Sequence, residues 1–167
     1  MKIVIPGGTG QVGAILDGAF TAAGHEVVIL TRRPAGAREV WWDGETPGPW
    51  SAEINGSDVV VNLAGRSVNC RYTQENLQSM MDSRVLSARA IGRTIAAAER
   101  PPRVWLQMST ATIYAHRLDA ANDEATGLIG GAEPGVPGYF GDDPEIMTAA
   151  ARYVARHQQL ELPATAG

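Results

Sequence analysis

The sequence predicts an α/β fold: a doubly wound parallel sheet with helices on both faces. Three observations carry this. Short β-branched runs alternate with longer helical patterns, as successive strand, helix, strand units do. A glycine-rich turn joins the first run to the first helix. Hydrophobic residues are 44% of the 167 positions and charged residues 19%, a globular composition that excludes disorder over most of the chain. A domain of this size buries roughly 70% of its unfolded surface, so it needs no disulfide or metal staple.

Ile3-Val4-Ile5 reads as a buried strand. From Gln11 to Ala23, Val12, Leu16, Phe20 and Ala23 recur at near-helical spacing, and Gly24 stands where a helix C-cap belongs. Glu26 to Thr31 is a second strand, Glu39 to Trp42 a short third and Asp58 to Leu63 a fourth. Thr73 to Arg100 is a long proline-free helical stretch halted by Pro101-Pro102, and Val104 to Met108 is a fifth strand. After Ser109 the chain becomes rich in glycine and proline, which predicts a long loop region. Glu145 to Leu160 then reads as a helix before a small-residue tail. The expected division is therefore residues 1–138 as the sheet domain and 139–167 as a divergent helix and tail. Trp41, Trp42, Trp50 and Trp105 are expected to pack in the core.

A net charge of -4 opposes capture of nucleic acid or anionic lipid, both of which need concentrated positive charge. No stretch approaches the roughly 18 to 20 apolar residues of a membrane span. The lone Cys70 has no internal disulfide partner, and MKIVIPGGTG meets glycine too early for a signal peptide, so a cytoplasmic location is expected.

The chemistry lies first in Gly7-Gly8-Thr9-Gly10-Gln11-Val12-Gly13, a G-x-x-G-x-x-G spacing between the first strand and helix. Gly7 suits the tight turn, Gly10 admits a pyrophosphate to the backbone, and Gly13 allows close helix packing. Phosphate then meets the helix N-terminus, where Gln11, Val12 and Gly13 stand. A turn of this kind also occurs with no ligand. At the tip of the second strand stands Thr31-Arg32-Arg33. A carboxylate there would hold the ribose 2′-OH of NAD, whereas two guanidiniums suit the 2′-phosphate of NADP, so NADP is favoured and NAD is the alternative.

Together with Asn62-Leu63-Ala64-Gly65, Ser109-Thr110-Ala111-Thr112-Ile113-Tyr114 and Asn122-Asp123-Glu124, the opening resembles the extended and atypical short-chain dehydrogenase/reductase superfamily. The likeness is to its nucleoside-diphosphate-sugar epimerase-like branch, over about residues 1–138. The resemblance implies a Rossmann-type fold binding NAD(P), with Asn62, Leu63, Ala64 and Gly65 beside the adenosine part of the cofactor. It places the hydroxyl that bonds the substrate's reacting oxygen at Thr110, with Ser109 beside it. Ser83-Arg84 also resembles a family pattern, although an exposed helical arginine accounts for it.

Two features depart from that pattern. The superfamily's Tyr-x-x-x-Lys pair, whose lysine lowers the tyrosine pKa, is not present. Tyr139 is the one tyrosine at a suitable distance after Thr110, and four residues beyond it stands Asp143; Lys2 is the only lysine in the chain. Extended members also continue into a substrate-binding lobe, so the sheet is expected to lack that C-terminal lobe and to expose an edge open to homodimerisation. The expected function is NADP-dependent hydride transfer on a sugar-nucleotide or other carbinol or carbonyl substrate. Thr110 would orient the oxygen and Tyr139 would be the candidate for proton transfer. The alternatives are a non-catalytic NADP(H)-binding or redox-sensing module and an inactive fragment.

Overall fold

The computed structural model describes residues 1–109 and 118–123 of the chain. The chain divides into two compact units, Met1–Ser109 and Thr110–Gly167. All the elements described here lie in the first. The boundary expected at residue 138 and the helix expected from Glu145 to Leu160 lie outside the described residues.

In chain order the elements are β1 (Lys2–Pro6), α1 (Gln11–Ala22), β2 (Glu26–Thr31), β3 (Glu39–Trp41), α2 (Ser51–Ile54), β4 (Val59–Asn62), α3 (Gln74–Ala97) and β5 (Val104–Gln107). The strands form one parallel sheet in the order β3-β2-β1-β4-β5. Successive side chains of a strand face opposite ways, and β1 uses both faces. Val4 joins Val28, Leu30, Trp42, Trp50, Ile54, Val60, Ala90 and Ile91 on the α2–α3 side. Ile3 and Ile5 join Val27, Ile29 and Val61 on the other side, under Leu16 and Phe20 of α1. A strand covered on both faces must be continuously apolar, which is why β1, β2 and β4 read as runs and not as alternations. Each fully buried Ile or Val contributes roughly 1.5–3 kcal/mol. The Rossmann-type sheet with helices on both faces is thus the architecture observed. No helix among the described residues is long and apolar enough to cross a membrane.

Several expectations need correction. Val12 does not belong to the buried face of α1: it is exposed, while Gly13 is buried. The sheet-facing stripe runs through Gly13, Leu16 and Phe20, and glycine carries no hydropathy signal. Gly24 does close the helix, with φ +79°; its N–H bonds the Thr21 carbonyl and the His25 N–H that of Phe20, a Schellman closure. Trp41 is 56% exposed on the edge strand, so it is not a core residue, whereas Trp42 and Trp50 are both 2% exposed. Helix α3 ends at Ala97 and not at Arg100. Pro101 biases the residue before it toward extended backbone, and the 55–56 turn captures Arg100, whose N–H bonds Asn55 Oδ1 and whose carbonyl accepts the Gly56 N–H. The four-residue α2 was not anticipated because it is too short for a periodic pattern.

Candidate functional site

Order reverses in this sheet between β1 and β4, whose chains continue to opposite sides; a ligand crevice forms outside the carboxyl ends of strands at such a point. Here the two turns touch. A Cβ on Gly7, which has φ +75°, would lie 2.7 Å from the Ala64 nitrogen. Only glycine fits that place, on two independent grounds. A Cβ on Gly13 would overlap the Gly8 carbonyl oxygen, so α1 presses directly on the turn that precedes it. At Gly10 the nearest atom would be 3.7 Å away, which leaves its outer face open to a ligand.

Gly10 is the N-cap of α1, no side chain caps that end, and no acidic residue lies in its first turn. The N–H groups that a helix leaves unpaired there, together with the dipole, favour an anion. The turn opens into a cleft of about 920 Å³. Its walls come from the β1–α1 turn (Gly7, Thr9, Gly10), the β2 tip (Leu30, Thr31, Arg32), the segment after β3 (Trp42, Gly44, Glu45), the turn after β4 (Leu63, Ala64, Gly65, Arg66) and α3. These glycine backbones, the uncapped helix end and Arg32 suit the phosphates of an adenine dinucleotide.

Of the residues named from sequence, the cleft brings together Gly7, Gly10, Thr31, Arg32, Leu63, Ala64 and Gly65. Gln11 and Val12 are exposed at the start of α1 and are not among its lining residues. Gly13 is buried against the turn. Arg33 is exposed outside the lining, its backbone N–H bonding Thr31 Oγ1 at 3.3 Å. No hydrogen bond or ion pair engages the Arg32 guanidinium among the described residues. Asn62 is fully buried, and its role is internal. Its Oδ1 accepts the Ala64 N–H at 3.0 Å and its Nδ2 donates to Gln107 Oε1 at 2.8 Å, which shapes the turn that meets Gly7. Ser109 is exposed beyond β5 and does not line the cleft. Thr110 and Tyr139 lie outside the described residues, as does Asp143.

Arg84 is not the exposed helical arginine expected. It is half-buried, donates to the Met80 carbonyl at 2.9 Å and packs its guanidinium over Gly65. Lys2 lies at the other end of β1 from Gly7, paired with Glu53 at 2.8 Å.

Sequence reasoning missed most of one wall, of which it had named only Ser83. Glu75, Gln78, Ser79, Asp82 and Ser83 of α3 line the cleft. Their spacing at i, i+3, i+4, i+7 and i+8 was a readable signal: one polar stripe on one helix face. Arg66 straps the turn after β4 to this stripe, donating through its side chain to Ser79 Oγ (2.8 Å) and Asn76 Oδ1 (2.7 Å) and through its backbone to Ser83 Oγ (2.9 Å). The segment after β3 was missed as well. Burial alone would raise the Asp43 pKa, but hydrogen bonds from the Thr46 side chain and from backbone N–H groups, chiefly those of Thr46 and Glu45, outweigh it and hold the carboxyl below its ordinary value.

Comparison with known proteins follows the same geometry. The family model described as "NAD dependent epimerase/dehydratase family" matches residues 3–130. The protein YfhF of Bacillus subtilis, an epimerase family protein, is 34% identical over 133 residues, which is 75% of this chain and 44% of YfhF. The bovine epimerase family protein SDR39U1 is 32% identical over 127 residues, 74% of this chain and 42% of that protein. The chain thus spans less than half the length of these curated relatives. The crystal structure of human SDR39U1 (isoform 2) with NADPH superposes with a TM-score of 0.67 at 26% identity, covering 98% of this chain and 50% of that one.

Proposed function

Because the chain belongs to the NAD dependent epimerase/dehydratase family, with its NAD(P)-binding Rossmann-type sheet, we propose that the cleft holds NADP and serves hydride transfer on a sugar-nucleotide or similar carbinol or carbonyl compound. One observation carries the cofactor half of this reading. The uncapped N-terminus of α1 and the Arg32 guanidinium, engaged by no partner among the described residues, line or border one cleft built on the β1/β4 reversal. The backbone of the 7–10 turn takes the pyrophosphate, Arg32 takes a 2′-phosphate through charge-assisted hydrogen bonds, and the Ala64–Gly65 turn flanks the adenosine. When bound, the cofactor supplies a hydride donor or acceptor. Thr110, the residue after Ser109, is assigned the substrate oxygen, and Tyr139 the proton, both by resemblance. The human relative's structure contains NADPH, which supports the phosphate assignment.

A second reading, a non-catalytic NADP(H)-binding or redox-sensing module, has a specific observation behind it. The chain's one lysine is engaged by Glu53 at the end of β1 opposite the glycine-rich turn, so it does not supply the lysine of the superfamily's Tyr-x-x-x-Lys pair.

Titration with NADPH and NADH, followed by nicotinamide fluorescence, tests the cofactor. Arg32→Ala is expected to weaken NADPH by roughly 1–3 kcal/mol, about 5- to 150-fold, and to leave NADH nearly unchanged. Arg33→Ala, outside the cleft, is expected to do less. Equal losses for both nucleotides would refute the 2′-phosphate assignment. NADPH oxidation by carbonyl compounds that Thr110→Val abolishes supports the enzyme; binding without turnover supports the module.

A further inference from the structure

We propose that Arg66 is a positioning residue of the cleft: its guanidinium clasps the first turns of α3 to the turn after β4 and so holds in place the wall that Glu75, Gln78 and Ser79 present to the ligand. This rests on the reading of the cleft as a dinucleotide site.

No residue of α3 before Met80 is buried, so apolar packing does not fix the turns that carry Glu75, Gln78 and Ser79. Unpacked helical turns are marginal in water. Arg66, which directly follows the Ala64–Gly65 turn, reaches across to them: Nη1 donates to Ser79 Oγ at 2.8 Å, Nη2 to Asn76 Oδ1 at 2.7 Å, and the backbone N–H to Ser83 Oγ at 2.9 Å. Residues 76, 79 and 83 lie on one helix face, so a single arginine spans about two turns of it. Asn76 closes the clasp. Its Nδ2 donates to the Arg71 carbonyl at 2.8 Å, and its backbone N–H to Thr73 Oγ1, the cap of α3. The other end of the clasp is held as well: Asn62 Oδ1 accepts the Ala64 N–H, and Gly65 lies against the Arg84 guanidinium. Both acceptors of the Arg66 fork are neutral, and no ion pair engages it among the described residues. Geometry therefore explains an arginine here, because a planar fork reaches two separate acceptors at once.

The test measures NADPH and NADH affinity at low and high salt, and amide hydrogen exchange of the ligand-free full chain. Arg66→Ala is expected to weaken both nucleotides alike, about 3- to 10-fold, the scale of one lost hydrogen bond. It should also speed exchange in residues 74–80 while β1 and β2 exchange as in the wild type. Arg66→Lys, which keeps the charge without the fork, should recover only part of both effects. Ser79→Ala removes one acceptor; its smaller loss should not add to that of Arg66→Ala, since the two act through one contact. A loss confined to NADPH and steepest at low salt would mark a direct phosphate contact and overturn the proposal. Wild-type affinity or unchanged exchange in Arg66→Ala would overturn it too. Where Arg66→Ala does not fold, Ser79→Ala reads the same exchange. Should the wild type bind neither nucleotide, the cofactor reading falls, and exchange in the ligand-free chain still decides whether Arg66 holds the wall.

Discussion

At the scale of single residues, the site is built more from missing side chains than from present ones. Gly7 meets the Ala64 backbone and Gly13 meets the Gly8 backbone, and a methyl group at either place would collide with main chain that has nowhere to yield. Gly7→Ala is expected to destabilise the fold by about 2 kcal/mol or more, since the left-handed conformation alone costs an L-residue about 1–2 kcal/mol. Urea denaturation would show it. Gly10→Ala separates binding from folding: with 3.7 Å of room, its urea midpoint should stay near that of the wild type while NADPH affinity drops. Normal binding by the Gly10→Ala variant would remove the close backbone approach from the argument. The glycine spacing, Thr31 and Arg32 were legible as neighbours of one cleft because each stands where a strand ends in a turn, whereas Arg33, outside the lining, could not be told from Arg32 in sequence. Asn62 was legible as a site residue but not in its role, because a strand-ending asparagine gives no sign that Gln107 and Ala64 will occupy it.

Elements differ in how much of their course is local. The start of α3 is local: Thr73 Oγ1 accepts the Asn76 N–H at 3.3 Å, a cap written in four residues. Thr73→Ala should cost about 1 kcal/mol in thermal or chemical unfolding, and Thr73→Ser should retain most of it. An alanine variant as stable as the wild type would show that the Arg66 strap alone holds this end. The end of α3 is not local. Two prolines announce a stop, but the helix leaves its path at Ala98 because distant residues in the 55–56 turn claim the Arg100 backbone. Likewise, β3 was seen as a strand, but the inward placement of Trp42 and the outward placement of Trp41 depend on which face of the sheet the chain turns toward.

For the whole molecule, binding to the folded state alone adds stability by mass action. At 100 times its Kd, NADPH should add about 2.7 kcal/mol, or roughly 5–10 °C in melting temperature for a chain of this length. Scanning calorimetry with NADPH and NADH side by side checks this, and no shift with either nucleotide would count against a cofactor cleft. We propose that the homodimer expected from sequence forms through β5, the last strand of the sheet among the described residues, where Val104, Leu106 and the adjoining Met108 are 39%, 54% and 50% exposed. Self-association through that edge should be concentration-dependent in sedimentation and weakened by Leu106→Glu. A wild-type chain that stays monomeric at all concentrations would exclude it.

The sequence by itself determined the chain order of the five strands, α1 and α3, the glycine-rich turn and the basic tip of β2, because these follow from apolar spacing and from the residue types that turns require. Tertiary structure alone decided that five separate segments would enclose one cleft, that the polar stripe of α3 and the 43–46 turn would be two of its walls, and that Asn62 would lie beneath it. The reason is physical: a wall is made by residues far apart in the chain, and their pairing depends on the parallel register of the sheet. No single segment encodes that register.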